Sequence, residues 1–194
     1  MLRQILRPLL LSVCVTLALG YTPTSSAGTA VNSFLFGAPA PLPLMTLQAK
    51  THGFSVGAPT APNVVYVFFD AQCPHCGHLW DLSQPQVSAG QVRFVWVPVA
   101  RLNPSSLTQG ATLLKTPSAM GEHERLLLNH QHGIAVDATA QASYAPQVQA
   151  NSELLKTMNP EGVPFLVTQN AKTQALVAQA GVTDLQDLQK FLGL

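Results

Sequence analysis

Val64-Val65-Tyr66-Val67-Phe68-Phe69-Asp70-Ala71-Gln72-Cys73-Pro74-His75-Cys76 begins as an unbroken run of β-branched and aromatic residues and ends in two closely spaced cysteines. Such a run predicts a strand covered on both faces, because a half-exposed strand would alternate apolar with polar residues. Pro74 then falls where a helix takes its first residue: the missing N–H is not needed there and the ring presets φ. The helix carries Leu79, Trp80 and Leu82. The cysteines therefore sit at a strand-to-helix junction, where free backbone N–H groups and the helix dipole stabilise a thiolate. The pKa of a thiol so placed falls from ~8.5 into the range ~3.5–7.5. Cys73 is the expected nucleophile. Cys76, one turn further on, is the resolving thiol that attacks the mixed disulfide and releases the substrate. His75 lies between them, where a protonated imidazole or a ring N–H would further favour the thiolate; the alternative is an exposed helix residue.

Working outward, Gln91 to Val97 reads as a second buried strand. From Asn103 to about Met158 there is no strand pattern; helical stretches span 107–114, 119–129 and 146–157, punctuated by Pro104, Pro117 and Gly133. Residues 165–168 and 175–178 read as two strands joined by a turn, and a helix over 183–191 closes the chain, with Leu185, Leu188 and Leu192 on one face. The first two strands and their helix make a right-handed βαβ unit, and the last pair adds an antiparallel hairpin. Gly162-Val163-Pro164 opens the third of these strands. Proline is poorly tolerated in a central strand, and a cis Val163–Pro164 peptide would turn the backbone groups of Val163 toward the cysteines, free to pair with an extended substrate. Taken alone the proline favours trans; the upstream cysteine motif reverses that preference.

The amino terminus sets the compartment. Arg3 and Arg7 precede the apolar run Leu9–Leu19, which is too short to span a bilayer and is followed by small residues. This predicts an export signal, with a retained membrane anchor as the alternative. Ala18-Leu19-Gly20 and Ser25-Ser26-Ala27 both suit cleavage; a cut after Ala27 makes 1–27 the signal. Cys14 then leaves with it, so that both remaining cysteines of the three belong to the single motif. A bridge closing so short a loop removes little unfolded-state entropy, which favours a reactive over a structural pair. Residues 28–61 are rich in Pro, Ala, Gly, Ser and Thr and read as an arm, with a short hairpin of 44–48 against 54–56. The domain proper is placed at 62–194, with a helical insert over about 103–158.

Charged residues make up 10% of the chain, hydrophobic ones 47%, and the net charge is +1. That composition excludes a disordered polyelectrolyte and gives no electrostatic reason to expect a nucleic-acid partner. A zinc site built from Cys73, Cys76, His78 and a distant His52, His123, His130 or His132 is the metal alternative; it lacks the second ligand pair at comparable spacing that structural zinc sites show, and no metal is expected. Glu122-His123-Glu124-Arg125 and His130-Gln131-His132 read as a solvated helix face and its end. Asp70 is either a proton acceptor near the cysteines or a strand-end cap.

These residues resemble a known family. Val65-Tyr66-Val67-Phe68, Asp70, Cys73-Pro74-His75-Cys76, Trp80, then Ala150-Asn151-Ser152-Glu153-Leu154-Leu155, Gly162-Val163-Pro164 and Gly181 are similar to the catalytic domain of the DsbG/DsbC family of bacterial periplasmic thiol:disulfide interchange proteins, closer to DsbG, over about residues 62–194. The resemblance implies an α/β, thioredoxin-like fold: a mixed central sheet flanked by helices, with an all-helical insertion. It implies a disulfide isomerase, reductase or oxidase that needs no cofactor, with Cys73 attacking, Cys76 resolving, Pro74 and His75 between them, and Val163 with cis-Pro164 binding substrate. Its substrates would be cysteine-containing exported proteins, its electrons or disulfides coming from a membrane partner of the DsbD or DsbB type. Pro74-His75 and Val163 are closer to the oxidant DsbA than to the isomerases. Residues 28–63 are too few for the family's dimerisation domain and linker helix, so a monomer is expected. The alternative from another class is a non-catalytic thioredoxin-fold module that holds an extended peptide and keeps its disulfide permanently.

Overall fold

A computed structural model describes residues 41–194; the expected export signal over 1–27, Cys14 and the first part of the expected arm lie outside the described residues. In chain order the elements are α1 (Leu44–Lys50), β1 (Phe54–Val56), β2 (Asn63–Asp70), α2 (Pro74–Ser88), β3 (Val92–Val99), α3 (Pro104–Lys115), α4 (Met120–Leu128), α5 (Gln141–Thr157), β4 (Phe165–Gln169), β5 (Leu176–Ala180) and α6 (Leu185–Leu192). The strands form one five-stranded mixed sheet in the order β1-β3-β2-β4-β5. β2 and β3 run parallel, Asn63 opposite Val92 through Asp70 opposite Val99. β4 pairs antiparallel with β2, Val65 opposite Thr168, and with β5. This is the thioredoxin-like fold.

The unbroken apolar run of β2 is explained by the two cores it feeds. Successive side chains of a strand point to opposite faces. Val65, Val67 and Phe69 pack with Cys73, Cys76, Leu79, Trp96 and Leu188, on the face covered by α2 and α6. Tyr66 and Phe68 pack with Leu47, Leu155, Met158 and Phe165, on the face covered by α1 and α5. Aromatic contacts tie the first face together: Phe69 meets Trp96 edge-on at 5.6 Å, and Trp80 of α2 lies 5.2 Å from Trp96.

Three expectations change. Residues 44–48 are not a hairpin strand but part of α1, and Phe54–Val56 pairs antiparallel with β3, Phe54 opposite Trp96. Leu47, fully buried, is what fixes the short helix to the sheet. The sheet therefore begins ahead of residue 62. The helix expected from Pro146 starts earlier, at Gln141, after a 3₁₀ turn over Ala138–Ala140 whose Asp137 side chain accepts from Thr139 N–H. Pro146 thus lies inside α5, where burial of Val148, Asn151 and Leu155 outweighs the lost hydrogen bond. β3 also continues through Pro98; β1 pairing has ended by Trp96, and the buried Asn151 donates to the Pro98 carbonyl at 3.0 Å. The third change, at α4, bears on the site.

Candidate active site

β2 ends at Asp70 and α2 begins at Pro74, so Cys73 becomes the N-cap residue of α2, in extended conformation with φ −101° and ψ 109°. Proline at the first helical position satisfies the sequence reason for the junction. Asp70 organises it. Its side chain is fully buried and accepts from Gln72 N–H (2.8 Å), Ser106 Oγ–H (2.6 Å), Arg101 N–H (2.7 Å) and Leu102 N–H (2.9 Å). Three of these bonds hold the loops after β2 and β3 and the fourth reaches Ser106 in the first turn of α3, which makes Asp70 a strand-end cap.

The two sulfurs sit in unlike surroundings. Cys73 is 3% exposed and its Sγ lies 3.5 Å from the Val163 carbonyl oxygen, across the site. The Val163–Pro164 peptide is cis. The Cys73 thiol is lowered from 9.0 to about 7: the hydrogen bond from the Cys76 side chain does most, the backbone N–H groups of Cys76 and His75 add to it, and burial and the Asp70 charge oppose it. Cys76 is fully buried, and burial first, then its hydrogen bond to Cys73 and the Cys73 charge, pushes its thiol well above the ordinary value. A lowered thiol beside a raised one is the asymmetry that sequential exchange requires: one sulfur is ready as a thiolate, the other waits as a thiol.

His75 acts on Cys73 through its backbone N–H; its side chain is exposed and lines a groove of about 440 Å³ with Glu161, Val163, Gln179, Gly181 and Asp187. The groove runs along the segment that leads into β4 and the end of β5. Gly181, with φ 73°, lets the chain turn out of β5 there, and its N–H donates to the Pro164 carbonyl at 2.7 Å.

The residues of the zinc alternative go to separate tasks. His78 Nε2 is 3.3 Å from the Thr183 carbonyl, while His123 Nε2 is 2.7 Å from the Ala71 carbonyl and its Nδ1 accepts from Ile134 N–H at 3.2 Å. Among the described residues no group of three His, Cys, Asp or Glu side chains could hold a metal ion.

The solvated reading of Glu122-His123-Glu124-Arg125 holds only in part. Glu122 and Arg125 pair on the surface at 2.6 Å, but His123 and Glu124 are both fully buried. His123 ties α4 to the loop before Cys73, and burial lowers its pKa despite the bond to Ala71. Glu124 lies against α2: a Cβ built on Gly77 would come 2.8 Å from its Oε2. Both its oxygens are buried without a hydrogen bond. Burial, then the charges of Cys73 and Asp81, raise its carboxyl well above the usual carboxylate range. The signal that finds these residues is helical phase, since Met120, His123, Glu124 and Leu127 share the buried face of α4.

Comparison with known proteins points the same way. Residues 49–187 match the sequence model of the thioredoxin family. The chain is 30% identical to the thiol:disulfide interchange protein DsbG of Pseudomonas aeruginosa over 140 residues, covering 71% of this chain and 54% of that one. It is 25% identical to the Escherichia coli protein of the same name over 163 residues, covering 80% and 63%. The chain thus spans between about half and under two thirds of the length of these curated relatives. Among solved structures, ScsC of Proteus mirabilis in a compact conformation superposes with a TM-score of 0.59 at 19% identity, covering 80% of each chain, a likeness of fold.

Proposed function

Because the chain belongs to the thioredoxin family, as a DsbG-like member, we propose that it is a thiol:disulfide oxidoreductase working through a Cys73–Cys76 redox centre. The observation that carries this reading is the unequal pair: Cys73 at the start of α2, lowered to about 7, and the wholly buried Cys76, raised. Cys73 thiolate attacks a substrate disulfide, or the oxidised pair is attacked at Cys73; either way a Cys73 mixed disulfide forms. When substrate is reduced, Cys76 then attacks Cys73 Sγ and the substrate leaves as a thiolate; when substrate is oxidised, a second substrate thiolate attacks the substrate sulfur of the mixed disulfide and Cys73 leaves as a thiolate. The Val163 carbonyl, 3.5 Å from Cys73 Sγ, and the groove beside it support docking of an extended cysteine-containing segment.

The export pattern of residues 1–27 and the DsbG relatives support work in the periplasm on exported proteins. A membrane partner of the DsbD or DsbB type would renew the pair. Whether it serves as oxidase or as isomerase and reductase follows from the redox equilibrium of the Cys73–Cys76 pair with glutathione. A strongly oxidising equilibrium makes it an oxidase and a milder one an isomerase or reductase. A disulfide that glutathione never reduces would overturn the enzymatic reading in favour of a peptide-binding module.

A further inference from the structure

His123 makes two contacts that disulfide exchange itself does not need. The ring is 0% exposed and each nitrogen is taken: Nε2 lies 2.7 Å from the Ala71 carbonyl oxygen and Nδ1 3.2 Å from the Ile134 backbone nitrogen. A carbonyl only accepts and a backbone N–H only donates, so the proton sits on Nε2 and Nδ1 is bare. One neutral tautomer satisfies both contacts. A leucine would fill the slot without two polar atoms to match. The loop after α4 is moulded to the ring: Gly133 takes φ 75°, and a Cβ there would run into Cε1 and Nδ1 of the imidazole. The buried Gln109 of α3 closes the same joint, donating to the His132 and Ile134 carbonyls while Gln72 donates to its side-chain oxygen. Ala71 and Gln72, the two residues before Cys73, are thus held by α3, α4 and this loop together.

Resting on the exchange mechanism proposed above, we propose that His123 is a positioning residue for Cys73: its neutral Nε2–H tautomer holds the turn that carries the attacking sulfur, and protonation of Nδ1 releases that turn together with the His130–Ile134 loop. The chain of cause is short. Cys73 N–H donates to the Asp70 carbonyl at 3.0 Å, so residues 70–73 form one turn, and the Ala71 carbonyl within it is the group that His123 holds. Asp70 anchors the turn from the β3 side through the Arg101 and Leu102 N–H groups, and His123 anchors it from the α4 side. Where the turn sits decides whether Cys73 Sγ meets the Cys76 side chain and the N–H groups of Cys76 and His75, the contacts that lower its thiol to about 7. His123 works through Ala71 rather than on the sulfur.

Acid undoes this hold. A proton on Nδ1 sets an N–H against the Ile134 N–H, so a bond is lost and two donors face each other in a buried site. Burial lowers the His123 pKa, opposed by the bond to Ala71. With its value in place below the ordinary 6.5, the hold is complete above 6.5 and is lost as the pH falls through that lower value. The charged and titratable groups around it are otherwise engaged. On α4, Glu122 and Arg125 pair at the surface and Glu124 lies against Gly77. On the turn, Asp70 bonds Gln72, Ser106, Arg101 and Leu102, and Cys73 faces Val163. From α2, Cys76 turns to Cys73 while His75, His78 and Asp81 are exposed; on α3, Lys115 pairs with Asp137; on the loop, His130 and His132 are exposed.

The test uses the full mature protein and two variants. His123→Gln keeps an N–H donor at the reach of Nε2 and takes up no proton; His123→Asn keeps an acceptor at the reach of Nδ1 and loses the donor to Ala71. Cys73 is titrated by thiolate absorbance in the ultraviolet, which a purely architectural histidine would leave unmoved. In His123→Asn the thiolate at pH 7 should fall at least about threefold, and His123→Gln should restore most of it. An unchanged Cys73 titration in a folded His123→Asn would overturn the positioning role. Wild type alone tests the acid release: ring-nitrogen NMR should show the Nε2–H tautomer at neutral pH, and amide protection of Ile134 should fall at least about tenfold as the ring takes its proton. An Nδ1–H tautomer, or Ile134 protection that stays level through the ring's titration, would overturn the proposal even if neither variant folds. Formation of the glutathione mixed disulfide by wild type is measured alongside. A wild type that forms none would overturn the exchange mechanism, whereas the Cys73 titration and Ile134 protection decide the role of His123 independently of it.

Discussion

Replacing Cys76 by alanine separates the two causes that lower the Cys73 thiol. Cys73 moves from 9.0 to about 7, with the hydrogen bond from the Cys76 side chain first and the N–H groups of Cys76 and His75 behind it. A hydrogen bond to a charged group contributes about 1.5–3 kcal/mol, and a thiol donor belongs at the low end. About 1.5 kcal/mol corresponds to about one pKa unit. In Cys76→Ala, Cys73 should therefore rise by at least about one unit, to about 8 or above, with the backbone N–H groups still holding it below 9.0. At pH 7 the thiolate fraction falls from about a half to about a tenth or less. Cys76→Ser keeps an O–H donor in place and should leave the titration close to the wild-type value. The assay is thiolate absorbance in the ultraviolet against pH; an alkylation rate at one pH is a poorer reading, since nucleophilicity rises with pKa and masks part of the loss. A Cys73 that still titrates near 7 in Cys76→Ala would refute the hydrogen bond as the leading cause, and one that returned to 9 would refute the contribution of the helix start.

Gly77→Ala places a Cβ 2.8 Å from Glu124 Oε2 and 3.3 Å from Leu128 Cγ, and overpacking of this kind should cost about 1–3 kcal/mol in urea denaturation; combined with Glu124→Ala the cost should largely vanish. Asp70→Ala leaves the N–H groups of Gln72, Arg101 and Leu102 without their acceptor, so a loss of at least about 3 kcal/mol is expected, read as a lowered denaturation midpoint at unchanged slope. Asn151 exchanges bonds with His52 N–H (2.9 Å) and carbonyl (2.7 Å) besides holding Pro98. Asn151→Ala should cost about 2–4 kcal/mol and speed amide exchange in β1, which an undiminished protection of Phe54 to Val56 would contradict.

What could be read in the sequence was local. The strand over 64–69 is a composition pattern, and Cys73 at a helix start follows from Pro74, a residue whose ring geometry allows few positions. What escaped depended on partners far along the chain. Phe54–Val56 pairs with β3 about forty residues on, and Leu47 is buried against β2, β4 and α5, contacts that a short stretch such as Leu-Met-Thr-Leu-Gln does not announce. Pro146 suggested a helix start because proline prefers that place, yet the Asp137-capped turn had begun the helix already. Glu124 was misplaced because a run of Glu, His, Glu and Arg has the composition of a wet surface. Its phase relative to Met120 and Leu127 carried the better information, and α4 packs that face onto the active-site helix.

Turnover of a disulfide-containing protein substrate by wild type beside Cys73→Ser is the most direct measurement of whether exchange passes through Cys73. The wild type should catalyse exchange and Cys73→Ser should fall to the uncatalysed rate, with the fold retained by circular dichroism. A Cys73→Ser protein that still turned over the substrate would contradict the account.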